Sequence, residues 1–246
     1  AFSFFADLAT ETHCQFETAG CLRGGKVAWV LAHLPDLGIR IGEDESKTYL
    51  LISTGHGGNK PLTVAPTSIR VACRNTLHLA EAQSRIRRAR LGSGVEAGYV
   101  VRHLPGMAAA VGDIKKAYQQ TIAAHKATTA FYAALAGRAM TAAMVKSFFS
   151  RVFGVENGRD ESGRARALRQ AREVRLGAIL AGPTSNVRGT AGTAFALLQA
   201  AIEYVDHDRR TRTDDEAGED EQRLASAMWG SGAAVKRRAV EVIADV

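Results

Sequence analysis

The chain has 246 residues, of which 46% are hydrophobic and 23% charged, the balance of a folded globular protein and not of a disordered one. No stretch approaches the roughly 20 uninterrupted apolar residues of a membrane span. The three cysteines, Cys14, Cys21 and Cys73, are odd in number and form no CxxC pair, which argues against a disulfide framework and against a cysteine-rich zinc site.

The chain opens on Ala1. Its first residues, AFSFFADLA, have neither a basic n-region nor a cleavage pattern, so they do not read as a signal peptide. The expectation is a native protein that begins upstream and works in a reducing cytoplasm. Phe2, Phe4, Phe5 and Leu8 suggest a short helix. Short runs rich in Val, Ile and aromatics follow at Gln15 to Thr18, Lys26 to Leu34, Ile39 to Ile41, Tyr49 to Ser53 and Leu62 to Ala65. Gly24-Gly25, Pro35 and the Gly55 to Asn59 tip divide them, as expected of antiparallel hairpins. Trp29 and Tyr49 fall in these strands. Core packing is the preferred reading for both, with stacking on unpaired bases as the alternative.

The stretch from Lys60 to Arg90 holds the main functional expectation. Behind Pro66, Thr67 or Ser68 can cap a helix running to about Ser84. Ile69, Ala72, Cys73, Thr76, Leu77 and Ala80 recur at steps of three and four, the period of one buried stripe. Arg70, Arg74 and His78 are four apart and stack in a row on another face. Residues 66–104 carry seven arginines against two glutamates, the densest basic stretch in a chain of net charge +7. Arginine forks fit phosphate oxygens, and clustered arginine with a sequence pI of 9.6 is the electrostatic footprint of nucleic-acid binding. A merely solvated basic surface is the competing reading. Arg70, Arg74, His78, Arg85, Arg87, Arg88 and Arg102 are the candidate nucleic-acid contacts, with Lys60, Lys26 and Arg23 in second rank.

Tyr99 to Leu104 reads as one more strand or an extended link. From Gly106 the pattern becomes helical. Met107 to His125 keeps helical period, Thr141 caps a shorter helix, and Ala165 to Leu180 is a basic helix stopped by Gly182-Pro183. Thr190 to Val205 is an apolar helix. Asp206 to Asp220 is a charged run without an apolar anchor and is expected to be mobile. Leu224 to Ile243 is a last helix, interrupted at Gly230-Ser231-Gly232. The predicted class is α+β: an antiparallel β-hairpin meander covered by a long basic helix, then a helical region. The expected division is a sheet-plus-helix core at 1–104 and a helical region at 105–246, with both parts able to share one core.

Catalytic signatures are weak. Gly55-His56-Gly57-Gly58-Asn59-Lys60 departs from a phosphate loop, because Asn precedes the lysine, Pro61 follows it and a strand comes next. Glu203 and His207 are four apart on one helix face, with Asp206 beside them, so a metal site is conceivable. No further histidine motif completes it, and a histidine capping the helix C-terminus is the preferred reading. No serine lies in a GxSxG elbow, and no paired carboxylates stand out. No catalytic residue, metal or cofactor is expected.

Five ordered blocks carry a family resemblance: ETAGCLRGGKVAWVLAHLP (17–35), YLLISTGHGG (49–58), TVAPTSIRVACRNTL (63–77), EYVDHDRRTR (203–212) and MWGSGAAVKRRAVE (228–241). They resemble the phage/plasmid-like proteins of unknown function, catalogued as domain of unknown function number 932. The resemblance implies a mobile genetic element as the setting and a further N-terminal segment. In element order the chain also resembles, more distantly, the single-strand annealing recombinases of the lambda Red Beta type and the eukaryotic strand-annealing mediator. That likeness implies a homo-oligomeric ring or helix holding single-stranded DNA in a basic groove with its bases exposed, and no catalytic residue. The functional expectation is therefore an ATP-independent protein that binds and anneals single-stranded DNA for phage or plasmid recombination. An interaction protein, an anti-defence or regulatory factor acting on a host protein, is the alternative.

Overall fold

The computed structural model describes residues 13–22, 24–55, 62–72, 76–77, 99–101, 111–153, 163–209 and 218–245. Its strands are β1 (Gln15–Leu22), β2 (Val27–His33), β3 (Ile39–Ile41), β4 (Asp44–Gly55), β5 (Leu62–Arg70), β6 (Thr76–Leu77) and β7 (Tyr99–Val101). All pair antiparallel in one sheet of order β1-β2-β4-β5-β6. β3 lies beside the first residues of β4, and β7 beside the first residues of β5. The helices are α1 (Val111–Ala136), α2 (Ala142–Phe153), α3 (Gly163–Ala181), α4 (Ala194–Glu203), α5 (Glu219–Trp229) and α6 (Ser231–Asp245). A π-helical turn, Tyr204–Asp208, extends α4.

The expected hairpins are present, and the α+β class holds. The helix expected from Thr67 to Ser84 is not formed over its first part. Thr67 to Arg70 continue β5, whose register on β4 runs from Thr63↔Ser53 to Arg70↔Ser46. Thr63, Val64, Thr67 and Ile69 are β-branched and suit a strand. Pro66 is tolerated because it falls among positions 65 to 67, which neither β7 nor β6 pairs on the outer side of β5. Residues 78–84 lie outside the described residues. The helix that covers the sheet is α1, which packs on β3, β5 and β7.

Both faces of the sheet are occupied. On one face Leu22, Val27, Trp29 and Leu51 form a cluster with Met228 of α5. Gly20 is required there, since a Cβ would stand 2.8 Å from the Trp29 ring. Tyr49 is also buried, and its hydroxyl donates to Glu17 Oε2 at 2.8 Å. Burial first, then the Glu17 carboxylate, pushes that hydroxyl up to about 12. Trp29 and Tyr49 are thus core residues, and the stacking alternative fails for both.

The opposite face is also buried; Leu50, Ile52 and Val64 make it apolar along much of its length, and its end at the start of β4 is polar. Asp44, Ser46, Thr48, Ser68 and Arg70 all lie below 9% exposure. Asp44, Thr48, Ser68 and Arg70 find partners in the helical layer or across the sheet, as buried polar groups must. Arg70 Nε donates to Asp44 Oδ1 at 2.9 Å and Oδ2 at 2.8 Å. Its Nη2 donates to Asp44 and to the Thr184 carbonyl, and its guanidinium lies 5.9 Å from the Phe195 ring centroid of α4. The Tyr132 hydroxyl of α1 bonds Ser68 and Gln199, and burial pushes it up to about 12. Thr48 Oγ1 lies 3.2 Å from His125 Nδ1 of α1. At the β3–β4 turn, Gly42 (φ +60°) approaches the loop after α3. A Cβ there would sit 2.5 Å from the Arg188 carbonyl and 2.9 Å from Gly189 Cα.

The helical layer has its own core, in which Phe148, Leu176, Phe195, Leu198, Ile202 and Val240 are buried together. The helix punctuation follows the sequence. Thr141 Oγ1 accepts from the Met144 amide at 3.3 Å, and Gly230 separates α5 from α6. The apolar helix starts later than Thr190, because Thr193 accepts from the Ala196 amide at 3.4 Å and is the cap. The charged run expected to be mobile is partly structured. Asp206 is buried against Lys236 Nζ at 2.8 Å, and Glu219 and Asp220 begin α5.

Two outcomes follow for stability. Arg70→Ala strands the Asp44 carboxylate and should cost about 3–5 kcal/mol in urea unfolding. Asp44→Asn combined with Arg70→Met should recover much of that loss, and an Arg70→Ala protein as stable as wild type would contradict the pairing. Burial holds His125 below its ordinary value of 6.5, so the folded state keeps the ring neutral. As pH falls below about 6.5 the unfolded chain takes up that proton first and stability declines. His125→Gln should flatten the decline in melting temperature between about pH 7 and about pH 5.

Candidate nucleic-acid interface

The residues expected to contact nucleic acid have divergent fates. Arg70 was expected in an exposed cationic row; it is 2% exposed and committed to Asp44, so it does not contact a ligand. The reason is its position on a strand face that the helical layer covers. Lys26 is exposed in the turn between β1 and β2. Arg23, Lys60, Arg74, His78, Arg85, Arg87, Arg88 and Arg102 lie outside the described residues. The conceivable metal triad is dispersed. Glu203 Oε1 accepts from Thr184 Oγ1 at 3.2 Å, Asp206 faces Lys236, and His207 is exposed. Among the described residues no group of three His, Cys, Asp or Glu could hold a metal ion.

A different cationic site is assembled by the helical layer. α3 carries Arg166, Arg169, Arg172 and Arg175 at steps of three, so neighbours in the series lie close along the helix. The π-helical turn, which inserts an extra residue, brings Tyr204 and Asp208 to one end of this series. Such turns recur at functional sites. α6 brings Arg238 across from α3, and Arg209 follows the turn. Arg172 and Arg175 of the series, with Tyr204, Asp208, Arg209 and Arg238, line a cleft of about 640 Å³. Four arginines, Arg172, Arg175, Arg209 and Arg238, face one carboxylate, Asp208, among its described lining residues.

The cleft also contains aromatic surface. Phe153 and Tyr204 meet edge to face, with ring centroids 5.4 Å apart at 84°. The Arg172 guanidinium lies 5.8 Å from the Phe153 centroid, and its Nη1 donates to the Phe153 carbonyl at 2.9 Å. This fixes Arg172 against the ring. Arg175 Nε donates to Asp208 Oδ1 at 2.8 Å while its side chain stays 56% exposed. Arg209 Nη1 donates to Ser231 Oγ at 3.2 Å. The arrangement offers fork-shaped donors for phosphate oxygens beside two half-buried rings.

The sequence carried part of this signal. Ala165 to Leu180 reads as a basic helix, and the three-step arginine series is visible in it. Summing charge by segment favoured residues 66–104 instead. Arg209 and Arg238, 34 or more residues beyond Arg175, could not be joined to α3 without the tertiary structure that brings them to the same cleft.

The comparisons with known proteins come down to one match. The family model described as Domain of unknown function (DUF932) matches residues 1–229. No curated protein and no solved structure matches the chain. With nearly its whole length matched, the chain belongs to the DUF932 family, a family defined by sequence and not by a known activity.

Proposed function

We propose that this protein binds single-stranded DNA and anneals complementary strands without ATP, in recombination of a phage or plasmid. The observation that carries the reading is the cleft that four arginines line together with Phe153 and Tyr204. Guanidinium forks take phosphodiester oxygens, and ring stacking is worth roughly 1–3 kcal/mol per base without sequence preference. Annealing and a ring or helix of protomers rest on the resemblance in element order. The net charge of +7 favours association with a polyanion. No described helix is long and apolar enough to cross a membrane. Cys21 is an exposed free thiol, in keeping with a reducing cytoplasm.

Fluorescence anisotropy of a labelled single-stranded oligonucleotide tests the reading. Wild type should bind at low salt, release with rising salt, and speed duplex formation when the complement is added without nucleotide. Arg175→Gln with Arg238→Gln should keep the fold, since both side chains are exposed. Losing two phosphate contacts should lower the log–log salt slope by roughly 1.4. Unchanged binding by that variant would remove the cleft from the reading. No binding by wild type at low salt would end it and turn attention to a protein partner, for which Leu168 and Val174, 57% and 74% exposed on α3, offer apolar contacts.

A further inference from the structure

On the other side of Phe153 and Arg172 lies a second cavity, a groove of about 670 Å³ between α2 and α3. Its character differs from that of the cleft. Val145, Phe149, Leu176, Leu180 and Leu197 supply an apolar floor and walls. Lys146, Arg169 and Arg172 line it too, against Glu173 as the one acid among its described lining residues. An apolar trough of this size with a few charged groups is the ordinary form of a small-molecule site.

Gly177 lines the groove and is an independent observation. It sits inside α3, with an ordinary helical backbone, and among the described residues nothing beyond its chain neighbours and its own helix backbone lies within 4 Å of where its Cβ would be. Glycine is the poorest helix former after proline. No described contact of the fold therefore demands glycine at this position. Its effect is to keep the groove floor open and the α3 backbone approachable, one residue from the buried Leu176.

We propose that this groove binds a small amphiphilic anion: an apolar body seated over Gly177 between Phe149 and Leu180, with a carboxylate or similar anionic head held at Lys146, Arg169 and Arg172. The cations supply the complementary charge, and the apolar walls supply the burial. The groove shares Phe153 and Arg172 with the cleft proposed for single-stranded DNA, but its apolar walls, Lys146 and Arg169 are its own, and its test does not depend on DNA binding.

Isothermal titration of the full chain with decanoate, below its micelle concentration, tests the proposal, with decanol as the uncharged control. Wild type should bind decanoate at least tenfold more tightly than decanol. Gly177→Leu fills the floor and should reduce decanoate binding at least tenfold, with an unchanged or higher melting temperature and unchanged oligonucleotide anisotropy. Lys146→Glu, at an exposed position, should weaken decanoate binding and leave decanol binding alone. The proposal is overturned if wild type does not bind decanoate, if folded Gly177→Leu binds it like wild type, or if decanol binds equally well. Binding to phosphatidylglycerol vesicles without binding to free decanoate would also overturn it, since that locates the affinity at a lipid surface.

Discussion

The buried pair of Arg70 and Asp44 is the constraint around which the two layers are arranged. A carboxylate and a guanidinium, each under 4% exposed, can coexist in an interior only if every donor and acceptor is met. Asp44 at the start of β4 and Arg70 at the end of β5 meet side by side on one face of the sheet. The guanidinium then reaches over to the Thr184 carbonyl and lies against Phe195. The sheet is thereby tied to the loop after α3 and to α4, the most buried helix. Ser68 with Tyr132, and Thr48 with His125, repeat the arrangement toward α1. Replacing the pair by apolar groups is the more stable solution in some proteins, so its worth here is positional: it fixes where the helical layer sits.

This polar seam also explains which parts of the fold were legible in the sequence. Strands whose faces bury Val, Leu, Ile and aromatics were readable, as at β2 and the middle of β4. Their extensions were not. Asp44, Ser46 and Thr48 at one end, and Thr67, Ser68 and Arg70 on the neighbouring strand, look like loop or helix cap because they are polar. Thr48, Ser68 and Arg70 are held in strand by partners more than 50 residues away, His125, Tyr132 and the Thr184 carbonyl, and Asp44 by Arg70 on the neighbouring strand. Ile69, Ala72, Thr76 and Leu77 happen to fall at helical spacing, and without the seam nothing in the local pattern contradicts a helix. The helical region was read more faithfully, since its signals are local: the Thr141 cap, the Gly182-Pro183 stop and the Gly230 break.

The same logic separates structural from available arginine. Arg70 belongs to the fold. Arg172 is held against Phe153, while Arg175 and Arg238 remain exposed. The cleft they line is a product of tertiary structure: α3 supplies Arg172 and Arg175, the π-helical turn supplies Tyr204 and Asp208, and α6 supplies Val235 and Arg238. Asp206, turned inward by the same turn, pairs with the buried Lys236, whose ammonium burial disfavours and Asp206 favours. One five-residue turn thus anchors α6 through its inward carboxylate and presents an aromatic and an acid to the cleft through its other residues.

The central functional claim is that single-stranded DNA lies along α3 against Phe153 and Tyr204. Photocrosslinking with an oligonucleotide carrying 4-thiothymidine, followed by mass spectrometry of the linked peptides, addresses it directly. The account predicts crosslinks in peptides containing Phe153 or Tyr204, suppressed by unlabelled oligonucleotide. Crosslinks confined to other segments, with none to these two residues, would contradict it.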